Sequence, residues 1–457
     1  MTSEVVVMNR LGIALASDSA ATVYIDGRAK LYQADKLFMV SQCHPVGAMI
    51  YNNSSLLGVP WETILKMFRR ELGSRGLPSL EDYGRELMKY LGEAHHLFPA
   101  DVQQQYYLKL VETLYRGIRV GIEEAIEEAI FRMVEEGTMA DADLHEREAA
   151  RVIQATLHAW RSKNDAECFE PGFKQELAGL STQLSGNLQI LLKLFEPWKL
   201  KAPEVEALRE LATLVVLKDE ILHESLSGLV IAGFGEEEHL PVMQSFELGE
   251  IVLGRLKHRM ALTKRIDAAT ASVVEPFAQS GMVNTFLNGI SPSFELKLIE
   301  EVGALIFGLP ELVVDSLPKM SRKRKEEIKN QLLPRSEEIL NRWAGEFERH
   351  RDEKHSDPIL QSIAFLPKNE LAHVASSLVN LNSFQKRMSI REDETVGGPI
   401  DVAVISKGDG FVWIERKHYF KPELNQHFFT NYGMQSSNGG RRNAKEAQPG
   451  DKGDGSD

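Results

Sequence analysis

The sequence predicts an α+β protein, with one mixed core that the chain enters three times and two helical insertions between the passes. Three observations predict it. Apolar, partly β-branched runs bounded by turn residues cluster at the beginning, the middle and the end of the 457 residues. Long stretches with apolar residues at helical spacing fill the intervals. No repeat of fixed period is present, which sets solenoid folds aside.

The elements follow in order. Val5-Val6-Val7, Gly12 to Ser17, Lys36 to Ser41 and Val46 to Tyr51 read as strands, with Gly27, Gly47 and Asn52-Asn53 as turn chemistry. Pro60 to Leu72 has Trp61, Ile64, Leu65 and Phe68 on one helical face, and Pro60 suits a first turn. From about 80 to 225 the pattern is helical throughout. Strands return at Ser227 to Phe234 and Pro241 to Leu248. Residues 282–289, 294–350 and 368–383 read as helices. Ile400 to Ser406 and Gly410 to Glu415 are late strands, joined by the hairpin signal Gly408-Asp409-Gly410. The boundaries expected are a first core part at 2–72, a helical insertion at 73–225, a middle core part at 226–293, a second insertion at 294–357, a last core part at 358–436, and a disordered tail at 437–457.

Composition narrows the function. A formal charge of −13 argues against broad nucleic-acid or anionic-membrane binding. Two cysteines, Cys43 and Cys168, give no disulfide framework. No apolar run approaches a membrane span, and the first residues lack the pattern of a signal peptide. A cytoplasmic protein is the expectation.

The residues that carry chemistry lie mostly near the start. Thr2 becomes the first residue if Met1 is removed. Asp18 ends the second strand, Ala21-Thr22 follows, and then comes Lys30-Leu31-Tyr32-Gln33-Ala34-Asp35. Further on stand Ser280-Gly281 before a helix and Asp393-Glu394-Thr395-Val396-Gly397-Gly398 before a strand. In this order they resemble the catalytic β subunits of the proteasome and their HslV-type bacterial relatives, the N-terminal-nucleophile hydrolases. The resemblance covers roughly 2–72, 227–290 and 365–416.

That resemblance implies an αββα sandwich of two stacked antiparallel sheets flanked by helices, here with large helical insertions. It implies a threonine-nucleophile amide hydrolase, most simply a peptidase, with Thr2 as nucleophile. Asp18 and Lys30 would form the charged pair beside it, while Ser280 and Asp393 would serve the proton relay. Substrate would lie along Ala21, Thr22, Asn52 and Asn53, with backbone N–H groups near the end of the Val46–Asn53 strand holding the oxyanion. Val396 stands where the family has a relay serine. No cofactor is implied. The partners implied are a peptide or other amide substrate, further copies of the chain, and by analogy a separate ATP-driven unfoldase.

The chemistry explains the residue types. A threonine hydroxyl must lose its proton as it attacks. A free α-amine, with an ordinary pKa of about 8, can take that proton near neutral pH. A neighbouring ammonium favours the developing alkoxide and keeps the amine neutral.

Other readings stay open. Asp18 alone could be a turn residue, Lys30 a solvated charge, and Ser280 a helix cap. Glu392 competes with Asp393. The protein could be a non-catalytic scaffold on the same fold, or a small-molecule amidase. His95-His96, His145-Glu146 and His223-Glu224 lack zinc-site spacing. The basic run Lys319 to Lys325 reads as a solvated helix start, and Ser383-Phe384-Gln385-Lys386 as part of a helix.

Overall fold

The computed structural model describes residues 3–25, 28–137, 143–316, 320–388, 397–418 and 420–427. In chain order the main elements begin with β1 (Ser3–Asn9), β2 (Gly12–Ser17), β3 (Ala20–Ile25), β4 (Arg28–Gln33), β5 (Leu37–Met39) and β6 (Val46–Asn52). Two short strands, β7 (Ser55–Leu56) and β8 (Val59–Pro60), lead into helices α1 (Trp61–Leu72), α2 (Leu80–Glu93), α3 (Ala100–Glu136), α4 (Leu144–Ser162), α5 (Phe173–Gln183), α6 (Ser185–Leu191) and α7 (Ala202–Leu217). Next come β9 (Ser227–Gly233), β10 (Val242–Val252), β11 (Arg255–Arg265) and β12 (Ser272–Ala278). The helices α8 (Gly281–Asn288), α9 (Pro292–Ser316), α10 (Arg322–Arg351), α11 (Asp357–Ile363) and α12 (Lys368–Met388) precede β13 (Asp401–Ser406) and β14 (Gly410–Glu415). The protein is thus mixed α and β, with two five-stranded sheets.

The chain divides into two compact units. The first comprises 1–37, 239–241 and 265–433. Its sheet has the order β12-β1-β2-β13-β14, and the β12–β1, β1–β2, β2–β13 and β13–β14 pairings are antiparallel. Val5, Val7, Ala14, Ala16, Val402 and Val404 pack with Val283 of α8, Ile363 of α11 and Leu371, Ala375 and Val379 of α12. The alternate residues Val6, Met8, Ile13 and Leu15 are also fully buried, so the central strands are apolar on both faces. This is why β1 and β2 read as continuous apolar runs rather than as alternating ones. The α9–α10 hairpin is different. Leu305, Leu309 and Leu312 of α9 are exposed.

Among the described residues the second unit comprises 38–238 and 242–264. Its sheet has the order β11-β10-β9-β6-β5. Ala48, Ile50, Leu229, Ile231 and Phe246 pack with Trp61, Ile64, Leu65 and Phe68 of α1 and Tyr83, Leu87 and Leu91 of α2. Ser79 caps α2 reciprocally with Asp82. Helices α3 to α7 close around a core of their own, containing Tyr107, Tyr115, Ile122, Ile153, Trp160, Phe195 and Trp198. The hydroxyl of Tyr115 donates to the Leu208 carbonyl at 2.7 Å, so even the polar tip of this buried ring is satisfied.

The expected strands at the start, middle and end are present. Six strands are additional: β3, β4, the short β7 and β8, β11 and β12. β11 alternates weakly and carries Arg255, Lys257, His258, Arg259, Lys264 and Arg265 along its length, which hid it among polar residues. The expected tail at 437–457 lies outside the described residues.

Candidate functional site

The site is built at the start of β1, within the first unit. Asp18 lies one residue beyond β2, in the turn that leads to β3, and is 1 % exposed. Its Oδ1 accepts the backbone N–H of Ser3 at 3.1 Å and the ammonium of Lys36 at 2.7 Å. Its Oδ2 accepts the backbone N–H of Gly397 at 3.0 Å. Three donors thus converge on one buried carboxylate. Lys36 is 6 % exposed and also donates to the Ala20 carbonyl at 2.6 Å. An ion pair sealed from water therefore touches the residue that follows Thr2.

Lys36, not Lys30, is the partner of Asp18. Lys30 lies on β4, opposite Val23 in the β3–β4 hairpin, and is exposed. The hairpin carries the chain outward and back before it returns to the acid. The return is held at several points. The N–H of Ala34 donates to the Ser19 carbonyl at 2.9 Å, and Lys417 bridges Asp35, at 3.1 Å, and Asp401. A signal was available in the sequence, because Lys36 directly precedes the apolar run Leu37-Phe38-Met39-Val40.

Glu4 is a further residue of this cluster that the sequence reading passed over. It is fully buried, its Oε1 accepts the Ser17 hydroxyl at 3.2 Å, and its Oε2 has no hydrogen-bond partner among the described residues. Burial pushes its pKa up to about 8, against the pull of Lys36 and with a push from Asp18. Two carboxyl groups share one ammonium here. Burial, the largest cause, keeps the proton on Glu4 at neutral pH.

Two backbone anchors complete the surroundings. Asn382 of α12 donates to the Ser3 hydroxyl at 2.8 Å and to the Gln279 carbonyl at 2.7 Å. It ties the entry of β1 to the residue before Ser280. Ser280 itself precedes α8, half-buried, and its side chain makes no cap bond. Gly398, at φ +79°, lies so close to Ser19 that a Cβ there would stand 2.8 Å from the Ser19 hydroxyl. Gly397-Gly398 of the late motif thus reaches Asp18 through its backbone.

The remaining expected residues are placed as follows. Thr2, Asp393 and Val396 lie outside the described residues, as does Glu392. Ala21 is half-buried on β3, next to the Ala20 carbonyl that Lys36 uses. Thr22 pairs with Leu31 through the backbone. Asn52 and Asn53 belong to the second unit. Asn52 ends β6 at φ 66°, and the Asn53 amide donates to the Glu224 carbonyl at 3.0 Å. The Ser383 hydroxyl is spent on the Val379 carbonyl of its own helix. Ser321 caps α10, and the basic residues after it are solvated or half-exposed at the helix start. Among the described residues, no three His, Cys, Asp or Glu side chains gather to hold a metal ion, and no helix is long and apolar enough to cross a membrane.

No protein-family model and no curated protein matches the chain. Among solved structures it is similar to a Gly-1 mutant of Anbu from Hyphomicrobium sp. strain MC1. The identity is 9 %, 99 % of this chain and 100 % of that chain are covered, and the TM-score is 0.28. A likeness at that score carries no functional argument.

Proposed function

We propose that this chain is a proteasome-like threonine-nucleophile amide hydrolase, a peptidase in the simplest case. The observation that carries this reading is the buried Asp18–Lys36 pair bonded to the N–H of Ser3. A sealed ion pair at the first residue of a buried strand is costly to build and has no evident packing use. Next to a threonine bearing a free amine it has a chemical one.

In this reading removal of Met1 exposes the Thr2 amine. The amine takes the hydroxyl proton as the oxygen attacks the substrate carbonyl. The proton passes to the leaving amine as the C–N bond breaks, and an ester to Thr2 remains. Water, deprotonated by the same amine, then cleaves the ester. The Lys36 ammonium favours oxygen anion character at Thr2 and disfavours a second cation on the amine. Asp18 fixes Lys36 and the strand entry together. Asn382 positions Ser3 beside the residue preceding Ser280. A protonated Glu4 leaves the Asp18–Lys36 pair neutral overall, so Lys36 is not drawn away from Thr2.

Intact-mass measurement checks the first requirement, since a retained Met1 rules the mechanism out. A peptide boronate or β-lactone should then label the processed protein, and Thr2→Ala should abolish the labelling. A protein with a free Thr2 amine that takes up no electrophile would instead be the non-catalytic scaffold.

A further inference from the structure

Within the first unit α9 and α10 pack against each other as a hairpin. Pro310 lies inside α9 and has no N–H to give the Ile306 carbonyl; the Ser336 hydroxyl of α10 donates to that carbonyl at 3.2 Å instead. Gly303 of α9 faces Leu340 of α10, from which a Cβ would stand 3.7 Å. Lys325 and Lys329 of α10 reach Asp315 at 3.6 Å and Glu311 at 3.3 Å, and Arg351 holds Glu295 at 2.7 Å at the other end. One side of α9 is therefore covered and fixed along its length. Another side is apolar as well. Phe294, Leu298, Val302, Leu305, Leu309 and Leu312 succeed one another at steps of four, four, three, four and three residues, which sets them in one row. Leu298 and Val302 are half-buried, while Leu305 is 70 % and Leu312 66 % exposed. A helix apolar beyond the side its neighbour covers is built for a deeper core than one hairpin supplies.

Alternating steps of four and three are those of a coiled-coil seam, so the row fits a second row of its own kind. We propose that it is the interface between two copies of this chain, with their α9 helices antiparallel about a two-fold axis between Gly303 and Ala304. That alignment sets Val302 of one copy by Leu305 of the other, Leu298 by Leu309, and Phe294 by Leu312, the self-complementary pattern of a two-fold contact. Charge selects the direction. α10 begins at the hairpin tip with Arg322-Lys323-Arg324-Lys325, while Glu295, Glu300 and Glu301 lie in the first half of α9. Antiparallel pairing brings the basic tip of each copy toward the acidic end of the other, whereas parallel pairing would stack two basic tips. The same charges speak against a membrane. The row is flanked by Lys297, Glu301 and Asp315, a net acidic edge, rather than by the lysines and arginines of a helix that lies on anionic lipid. The row presents on the order of 500 Å² of apolar surface, and two copies together withdraw about 1,000 Å², the size at which specific interfaces begin. The interface uses no residue of the Asp18–Lys36 cluster and does not depend on Thr2.

Sedimentation velocity of the full chain at micromolar concentration tests the interface. The parent should sediment at least as a dimer. Leu305→Glu combined with Leu309→Glu should raise the dissociation constant at least 100-fold, with circular dichroism showing the fold retained. Thr2→Ala should associate as the parent does, which separates this interface from the hydrolase reading. The direction is read by mild oxidation in a background carrying Cys43→Ser and Cys168→Ser, which removes both free thiols. Leu305→Cys, beside the axis, should form a disulfide between copies. Leu312→Cys, roughly 25 Å from its counterpart at 1.5 Å per residue, should not. A monomeric parent overturns the proposal, whether it stays free or floats with phosphatidylserine vesicles. Undiminished association of the double glutamate variant overturns it as well, and so does cross-linking of Leu312→Cys equal to that of Leu305→Cys.

Discussion

Asp18 and Lys36 touch, whereas Glu250 and Lys109 do not. Asp18 is buried in the first unit, and Glu250 is half-buried in the second. Asp18 accepts from an ammonium and two backbone N–H groups, while Glu250 accepts from nothing described. Donors replace the hydration that burial removes, and where they are missing burial drives an acid toward its neutral form, as it does Glu250. Glu4 shows that proximity alone is not enough. It lies in the field of the same Lys36, but its Oε2 has no donor and its pKa rises to about 8. The comparison teaches that a nearby lysine does not by itself offset the burial of a carboxyl group.

The largest expected effect breaks the pair that touches. Lys36→Met should slow acylation of Thr2 by about 10²–10⁴-fold, on the scale of losing a positioned group in proton transfer, while Lys30→Met leaves the rate unchanged. The rate of labelling by a β-lactone, which acylates the hydroxyl, reads both, and a slow Lys30→Met would restore the lysine first expected. Asp18→Ala removes one partner of a buried ion pair and strands the other. It should cost about 3–5 kcal/mol in urea unfolding.

Smaller effects sharpen the contrast between satisfied and unsatisfied acids. Gly398→Ala places a side chain at φ +79° and against the Ser19 hydroxyl. A cost of about 1–2 kcal/mol is expected from the left-handed conformation alone. The pH dependence should follow Glu4. Its folded pKa of about 8 lies above the ordinary 4.5, so between these values the folded chain holds a proton the unfolded chain has lost. Stability therefore falls as pH rises from 4.5 to 8, and levels off beyond. Glu4→Gln should remove that slope in unfolding measured across the range. Glu250→Gln should remove a shorter one, ending near pH 7. An unchanged slope in Glu4→Gln would mean that Glu4 is ionised in the fold.

Much of this arrangement was legible before any coordinates. Val5-Val6-Val7 and Gly12 to Ser17 declared buried strands because they are apolar at every position, and Gly408-Asp409-Gly410 declared its hairpin through turn chemistry. Asp18 was legible as a charged residue closing such a run. The choice between Lys30 and Lys36 was not. The local pattern Lys-Leu-Tyr-Gln-Ala-Asp favoured Lys30, but two six-residue strands form a hairpin there and carry it into solvent. Glu4 and Asn382 gave no signal, since an acid in a strand and an amide in a helix are ordinary on exposed faces. Glu250 was equally silent, because its burial depends on α3, which begins 150 residues earlier with Ala100.

The sequence by itself determined the alternation of strand and helix blocks, the acid that closes β2, and the threonine next to Met1. Those follow from side-chain periodicity and local backbone preference, which act over a few residues. Tertiary structure alone decided which lysine meets Asp18 and which carboxyl keeps its proton. Electrostatic pairing is fixed by distance and by exclusion of water, and both arise from segments far apart in the chain.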